Sequence, residues 1–218
     1  MNKASVTVIF ASLGTILFSI NAQEHSPYPG SISPDKKWEY KCVGYYNSEC
    51  APEMIKAGTT EVVVNLNQDL EVSGSESKDT QIFWAPDSKR FALNYSPVHA
   101  HRTQSETVAF YQLNADKWMQ LPSPVEQTER SQLAELARKH LLKGFKSHAC
   151  APDRDILKMY KWTDARTAIL YAPCYGRTSG VLETAFLFTL KFDDTGNWKI
   201  TKTRQTSKKE LEEMLNQQ

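Results

Sequence analysis

The chain has 218 residues, with 26 Lys and Arg against 25 Asp and Glu, which gives a formal net charge of +1. Without a basic excess there is no electrostatic basis for binding phosphate backbones, so nucleic acid is not expected as a partner. The 40% of hydrophobic and 11% of aromatic residues favour a packed core over a disordered chain.

Residues 1–22 have the three-part layout of a secretory signal peptide. Lys3 supplies the positive charge, residues 6–20 form an apolar run, and small residues near Ala22 offer a cleavage site. An uncleaved membrane anchor is the alternative, but a span needs about 20 apolar residues. We therefore expect a periplasmic or secreted protein that has no stable membrane span after cleavage.

Four cysteines in an exported chain predict two disulfides, for which three pairings exist. They are Cys42, Cys50, Cys150 and Cys174. Pairing Cys42 with Cys50 and Cys150 with Cys174 is favoured, because each bridge then closes a short loop. The spacing contains no C-x₂-C knuckle, so zinc is not expected at the cysteines. No other cofactor is expected either.

Three similar turns recur along the chain, and each precedes a run of strand-forming residues. Their shared features are an aspartate followed by a basic residue, a proline before the aspartate in two of them, and a tryptophan before the turn in two. The residues are Pro34, Asp35, Trp84, Pro86, Asp87, Trp162 and Asp164. Proline at the second turn position fixes φ, and aspartate can accept hydrogen bonds from the backbone ahead of it. Tight hairpin turns are therefore predicted.

The second and third copies match well beyond the turn, which indicates an internal duplication. Trp84 matches Trp162 and Trp118 matches Trp198, at offsets of 78 and 80 residues. Alternation and turn residues predict four strands in each copy. These are 80–84, 90–95, 107–113 and 118–121, then 156–162, 168–172, 184–192 and 198–203. The first copy predicts strands at 38–43 and 61–66, with a further short strand at 70–73.

Two helices are predicted between and after these units. Ser123, Pro124 and Glu126 form a start signal for an amphipathic helix over 124–143, and a capping box from Ser207 to Glu210 starts a short helix to Leu215. The expected organisation is a signal peptide (1–22), blade-like units one and two (23–123), helix and linker (124–145), unit three (146–206) and a C-terminal helix (207–218).

Residues 82–93, IFWAPDSKRFAL, resemble the "WSPDSKRIAF" signature of WD40-like, TolB-type β-propeller repeats. Residues 32–38 are a second, shorter match, and unit three keeps Trp162, Asp164 and Arg166 but lacks the proline. The resemblance implies blades, export and binding through loops, and it transfers no catalytic residue. Propellers close with four or more blades, whereas three units are visible. We therefore expect a mostly β protein of antiparallel four-stranded blade-like units, arranged either as an open or partial propeller or as packed antiparallel sheets capped by the helix over 124–143. Its edge strands would be covered by the helix or by another chain, including a second copy.

Few residues suggest chemistry. His99 and His101 could hold a metal with a third ligand from elsewhere, although a solvated loop is the simpler interpretation. The tryptophans suit packing better than a carbohydrate or peptide platform, and residues 193–197 suit a hairpin turn better than a calcium loop. No catalytic motif occurs. The expected function is an exported, non-enzymatic binding or scaffold protein that recognises a protein or a small extracellular ligand. The alternatives are a metal-dependent hydrolase that uses His99 and His101, and an inhibitor of a secreted enzyme.

Overall fold

The computed structural model describes residues 31–44, 50–66, 70, 80–96, 106–124, 133, 135–137, 139, 156–175 and 182–215. The predicted signal segment, Cys150, His99 and His101 lie outside these residues.

Three antiparallel sheets follow one another along the chain, and each is a simple meander. Sheet 1 contains β1 (Trp38–Gly44), β2 (Cys50–Lys56) and β3 (Val62–Asn65). Sheet 2 contains β4 (Gln81–Trp84), β5 (Arg90–Tyr95), β6 (Thr107–Asn114) and β7 (Lys117–Gln120). Sheet 3 contains β8 (Lys158–Asp164), β9 (Thr167–Tyr175), β10 (Leu182–Phe192) and β11 (Trp198–Gln205). The prediction of a mostly β, antiparallel protein is confirmed.

The eight predicted strands of sheets 2 and 3 are all present, with ends within three residues of the predicted ones. Sheet 1 differs from its prediction. Strand β2 was not predicted, because Pro52 lies inside it and proline cannot donate to a β ladder. The predicted strand at 70–73 is wrong at Leu70, which is helical. Leu66 is also helical, and both side chains are buried.

Among the described residues, sheet 1 has three strands rather than the four expected of a blade-like unit. A single bridge between Ile32 and Glu39 occupies the position that corresponds, in sheet 2, to the pairing of β4 with β5.

Helical residues occur in both places where helices were predicted. Residues 133, 135–137 and 139, which we call the middle helix, bury Leu133 and Ala137 and expose Glu135 and Lys139. The C-terminal helix α1 (Lys208–Leu215) begins with the predicted capping box. The Glu210 N–H donates to Ser207 Oγ (3.3 Å), and the Ser207 N–H donates to Glu210 Oε2 (3.0 Å).

Sheet 2 is the middle layer of a stack. Because side chains alternate along a strand, Phe91 and Leu93 of β5 point to one face while Ala92 points to the other. The first face packs on sheet 1 in a cluster that includes Trp38, Tyr40, Met54, Val64, Ala109, Tyr111 and Trp118. The second packs on sheet 3 in a cluster that includes Val108, Phe110, Met159, Ala168, Leu170, Phe186 and Phe188.

Helix α1 covers part of the outer face of sheet 3. Leu211 is buried in a small cluster with Tyr171 and Leu187 of that face. Arg204 of β11 holds Glu210 of α1 through two hydrogen bonds of 2.8 and 2.6 Å. Burial on this face raises the pKa of Tyr171 to about 12.

Candidate functional site

The three repeated turns share one hydrogen-bond pattern, in which an aspartate stabilises its own turn. Oδ1 of Asp35, Asp87 and Asp164 each accepts from the backbone N–H two residues ahead, at 3.2, 3.1 and 2.7 Å. The Arg166 N–H is the main cause that lowers the pKa of Asp164 from its usual value. These carboxylates therefore serve the fold of the turn.

The two proline turns are also alike in their backbone. The Lys36 N–H donates to the Ser33 carbonyl and the Ser88 N–H to the Ala85 carbonyl, both at 2.9 Å, so Pro34 and Pro86 occupy the second turn position. Lys36 and Ser88 both have a positive φ, of 60° and 58°.

Turns from successive sheets lie side by side at one end of the stack, which we call the turn end. The Asp35 N–H donates to Ser88 Oγ (2.9 Å), which joins the first two repeated turns. Arg90 then joins the second to the third, because Nη1 donates to the Ala165 carbonyl and Nη2 to the Asp193 carbonyl, both at 3.0 Å. Arg90 is 5% exposed, so its guanidinium acts as a buried linker between sheets 2 and 3.

The turn at residues 193–197 also lies at the turn end. Oδ1 of Asp193 accepts from the Thr195 N–H, the Thr195 hydroxyl and the Asn197 N–H, at 2.9, 2.7 and 3.0 Å. The hydroxyl bond is the main cause that lowers the pKa of Asp193. Gly196 has a φ of +89°, which favours glycine. This geometry is that of a hairpin turn.

The five tryptophans fall into two groups with different chemistry. Nε1 of Trp162 donates to the Phe83 carbonyl (3.0 Å) and Nε1 of Trp198 to the Pro122 carbonyl (2.9 Å). Trp38, Trp84 and Trp118 instead form an aromatic cluster between sheets 1 and 2, with centroid distances to Trp118 of 5.6 and 5.9 Å. Packing is thus a structural role of all five rings.

One open cleft of about 680 Å³ lies between the middle helix and the beginning of β11. Its described lining consists of Pro122, Glu135, Leu136, Lys139, Asn197, Trp198, Lys199 and Ile200. The bond to the Pro122 carbonyl fixes the indole of Trp198, which remains partly exposed. Lys139 is paired with Glu135 at 2.7 Å, whereas Lys199 has no ion pair among the described residues. The cleft therefore offers an indole, aliphatic side chains and an ammonium group.

The predicted disulfides are only partly within the described residues, and the predicted metal site at His99 and His101 lies outside them. Cys174 is fully buried and disulfide-bonded, and its predicted partner Cys150 lies outside. In the register of β1 and β2, Cys42 is opposite Pro52 and Cys50 opposite Gly44, so these cysteines lie near each other on adjacent strands. Among the described residues, no group of three His, Cys, Asp or Glu side chains could hold a metal ion.

Sequence reasoning missed the side chains that connect sheets 2 and 3. Asn94 is 4% exposed and bonds both backbone groups of Met159, with its Nδ2 donating to the carbonyl (3.0 Å) and its Oδ1 accepting from the N–H (2.6 Å). Nε of Arg90 donates to Gln112 Oε1 (2.8 Å), and Nε2 of Gln112 donates to the Asp194 carbonyl (3.0 Å). The available signal was a polar residue at each end of the apolar run in β5.

Comparisons with known proteins identify no family. A scan against protein-family models and a search of curated proteins both return no match. Within the described part of the chain, no helix has the length and apolar character required to cross a membrane.

Proposed function

We propose that this chain is an exported, non-enzymatic binding or scaffold protein, built from WD40-like blade-like units in an open stack. The observation that carries the proposal is the alignment of equivalent turns from three successive sheets, joined through Ser88 and Arg90. Such a stack of meanders, each with the same turn toward the same end, is the arrangement expected of neighbouring propeller blades.

An open stack is favoured over a closed ring by the outer face of sheet 3. In a ring, that face would pack on the next blade. Here α1 lies on it, with Leu211 buried and Glu210 held by Arg204. A scaffold whose terminal face carries its own helix needs no fourth blade there.

The cleft beside Trp198 is the proposed ligand site. Concave surfaces with an apolar floor and a few polar groups are typical of ligand sites, and a fixed, partly exposed indole offers a large recognition surface with little loss of conformational entropy. Lys199 at the rim favours a ligand that combines an apolar group with a negative charge, such as an acidic peptide segment or a small carboxylate.

Charge reversal on β11 tests this proposal. Lys199 and Lys202 are both exposed on the same strand, but only Lys199 lines the cleft. Three forms of the mature protein would be compared: the wild type, Lys199→Glu and the matched control Lys202→Glu. Each would be used to capture ligands from the exported fraction of the native cells, and the amount captured would be measured. Native mass spectrometry would then identify the bound material. We expect the wild type and Lys202→Glu to retain the same ligand and Lys199→Glu to lose it. Equal capture by all three, or no specific capture, would contradict binding at the cleft.

Export is tested separately. Cell fractionation and the N-terminal mass of the purified protein should give a soluble exported chain that begins at Gln23 or Glu24. Retention of residues 1–22 in a membrane fraction would support the anchor alternative instead.

A further inference from the structure

The two faces of sheet 2 are joined to sheets 1 and 3 by very different numbers of hydrogen bonds. Sheets 2 and 3 are joined through Arg90, Asn94, Gln112 and the indole of Trp162, each of which bonds backbone atoms of the opposite sheet. The Leu157 N–H adds a bond to the Glu106 carbonyl (2.9 Å). Between the described residues of sheets 1 and 2, one hydrogen bond is found, from the Asp35 N–H to Ser88 Oγ.

Both interfaces also contain an apolar cluster. Among the described residues, the cluster that joins sheets 2 and 3 includes Leu133 and Ala137 of the middle helix, so this helix adds buried apolar surface to that interface. The cluster that joins sheets 1 and 2 is rich in aromatic side chains, among them Trp38, Tyr111 and Trp118.

The aromatic cluster between sheets 1 and 2 contains unpaired donors. The indole nitrogens of Trp38, Trp84 and Trp118 are buried, and none has a hydrogen-bond acceptor within the described part of the chain. Trp162, the repeat counterpart of Trp84, bonds the Phe83 carbonyl. A buried donor without a partner is costly, and exposure to water removes that cost. Separation of sheet 1 is therefore opposed less strongly than its apolar contacts alone would suggest.

We propose that β1–β3 separate from sheet 2 as one cooperative unit, while sheets 2 and 3 remain folded together. This opening exposes the face of sheet 2 that carries Phe91, Tyr111 and Trp118. Local units of low stability are a common source of motion in folded domains. The proposal is independent of the ligand site, because none of the residues lining the cleft belongs to sheet 1.

Native-state hydrogen exchange, read by mass spectrometry on the intact mature protein, tests the proposal. We expect amides in β1–β3 to exchange through a shared opening at least about tenfold more populated than the one that exposes β9 and β10. A single common opening for all three sheets would overturn the proposal.

Removal of the hydroxyl that links sheets 1 and 2 provides the second readout. Ser88→Ala should increase the population of the sheet 1 opening about fivefold, the effect of one lost hydrogen bond, and leave β9 and β10 unchanged. Ser88→Gly tolerates the positive φ and should have the same effect, which separates the hydroxyl from backbone strain. The matched control Thr195→Ala removes a turn hydroxyl from sheet 3 and should leave β1–β3 unchanged. Acceleration of all strands alike by either Ser88 variant would contradict the proposal.

Discussion

Trp84 and Trp162 offer a test of how far repeat-equivalent residues share an energetic role. They occupy matching positions in consecutive sheets, and both side chains are partly exposed. Each ring contacts two others: Trp84 lies 5.2 Å from Phe91 and 5.9 Å from Trp118, and Trp162 lies at similar distances from Phe110 and Phe192. The main difference is the indole N–H, which is bonded in Trp162 and has no acceptor among the described residues in Trp84.

Replacement of each tryptophan by phenylalanine should therefore give unequal losses of stability. Both changes remove similar apolar area, which costs the same at both sites. Trp162→Phe also removes a hydrogen bond worth about 0.5–1.5 kcal/mol, whereas Trp84→Phe removes an unpaired donor that costs about 1–3 kcal/mol in the folded state. We expect Trp162→Phe to be the more destabilising by about 2 kcal/mol.

Urea denaturation followed by far-ultraviolet circular dichroism measures this difference, because the unfolding midpoint is read from the loss of β structure in every variant. The single variants, the wild type and the double variant would be compared under the same conditions. Trp162 bonds the carbonyl of Phe83, the residue before Trp84, so the double variant measures any coupling between the two sites. Equal losses at the two positions, or a larger loss for Trp84→Phe, would refute the reasoning that unpaired indole donors weaken the sheet 1 interface.

Two further predictions concern a turn and the C-terminal helix. An added Cβ at Gly196 would clash with Leu121 Cδ2, whereas at Gly58, which also has a positive φ, it meets nothing within 4 Å. Thermal unfolding should show Gly58→Ala to cost about 1 kcal/mol and Gly196→Ala clearly more; equal costs would contradict the steric argument. Arg204 is the main cause that lowers the pKa of Glu210 to about 2 from a usual value of 4.5. A lowered pKa in the folded state means that the ionised carboxylate stabilises the fold above about pH 4.5, and that this contribution is lost as the pH falls towards 2. Glu210 is 36% exposed, so we expect less than about 1 kcal/mol. Glu210→Gln should narrow the gap between unfolding temperatures at pH 6 and pH 3, and an unchanged gap would show that the pair does not stabilise α1.

The strands of sheets 2 and 3 were predictable because their signals are local. In β5 and β10, apolar and β-branched residues lie between turns that have clear sequence signals, such as the proline turn before Arg90. Strand β2 was missed because its signal conflicts with its environment. Pro52 argues against a central strand, but pairing with β1 and burial of Met54 and Ile55 outweigh it.

The candidate cleft could not be predicted from the sequence. Its walls come from the middle helix and from β11, which are some 60 residues apart in the chain. Leu136 and Trp198 each fit a local pattern, an amphipathic helix and a strand after a turn. Nothing in either pattern indicates that the two side chains line one surface, because that depends on how the helix packs on sheet 3.

By itself, the sequence determined the local geometry of this protein: the aspartate-stabilised turns, the alternation of its strands and the capping box of α1. These features depend on residues within a few positions of one another, so the chain carries their signals directly. The tertiary structure alone decided that Arg90 bonds Asp193, 103 residues away. It also decided that Trp162 has an acceptor, whereas Trp84 has none within the part of the chain that the structure describes. Such choices depend on which sheet faces meet, and equivalent residues in a repeat meet different neighbours.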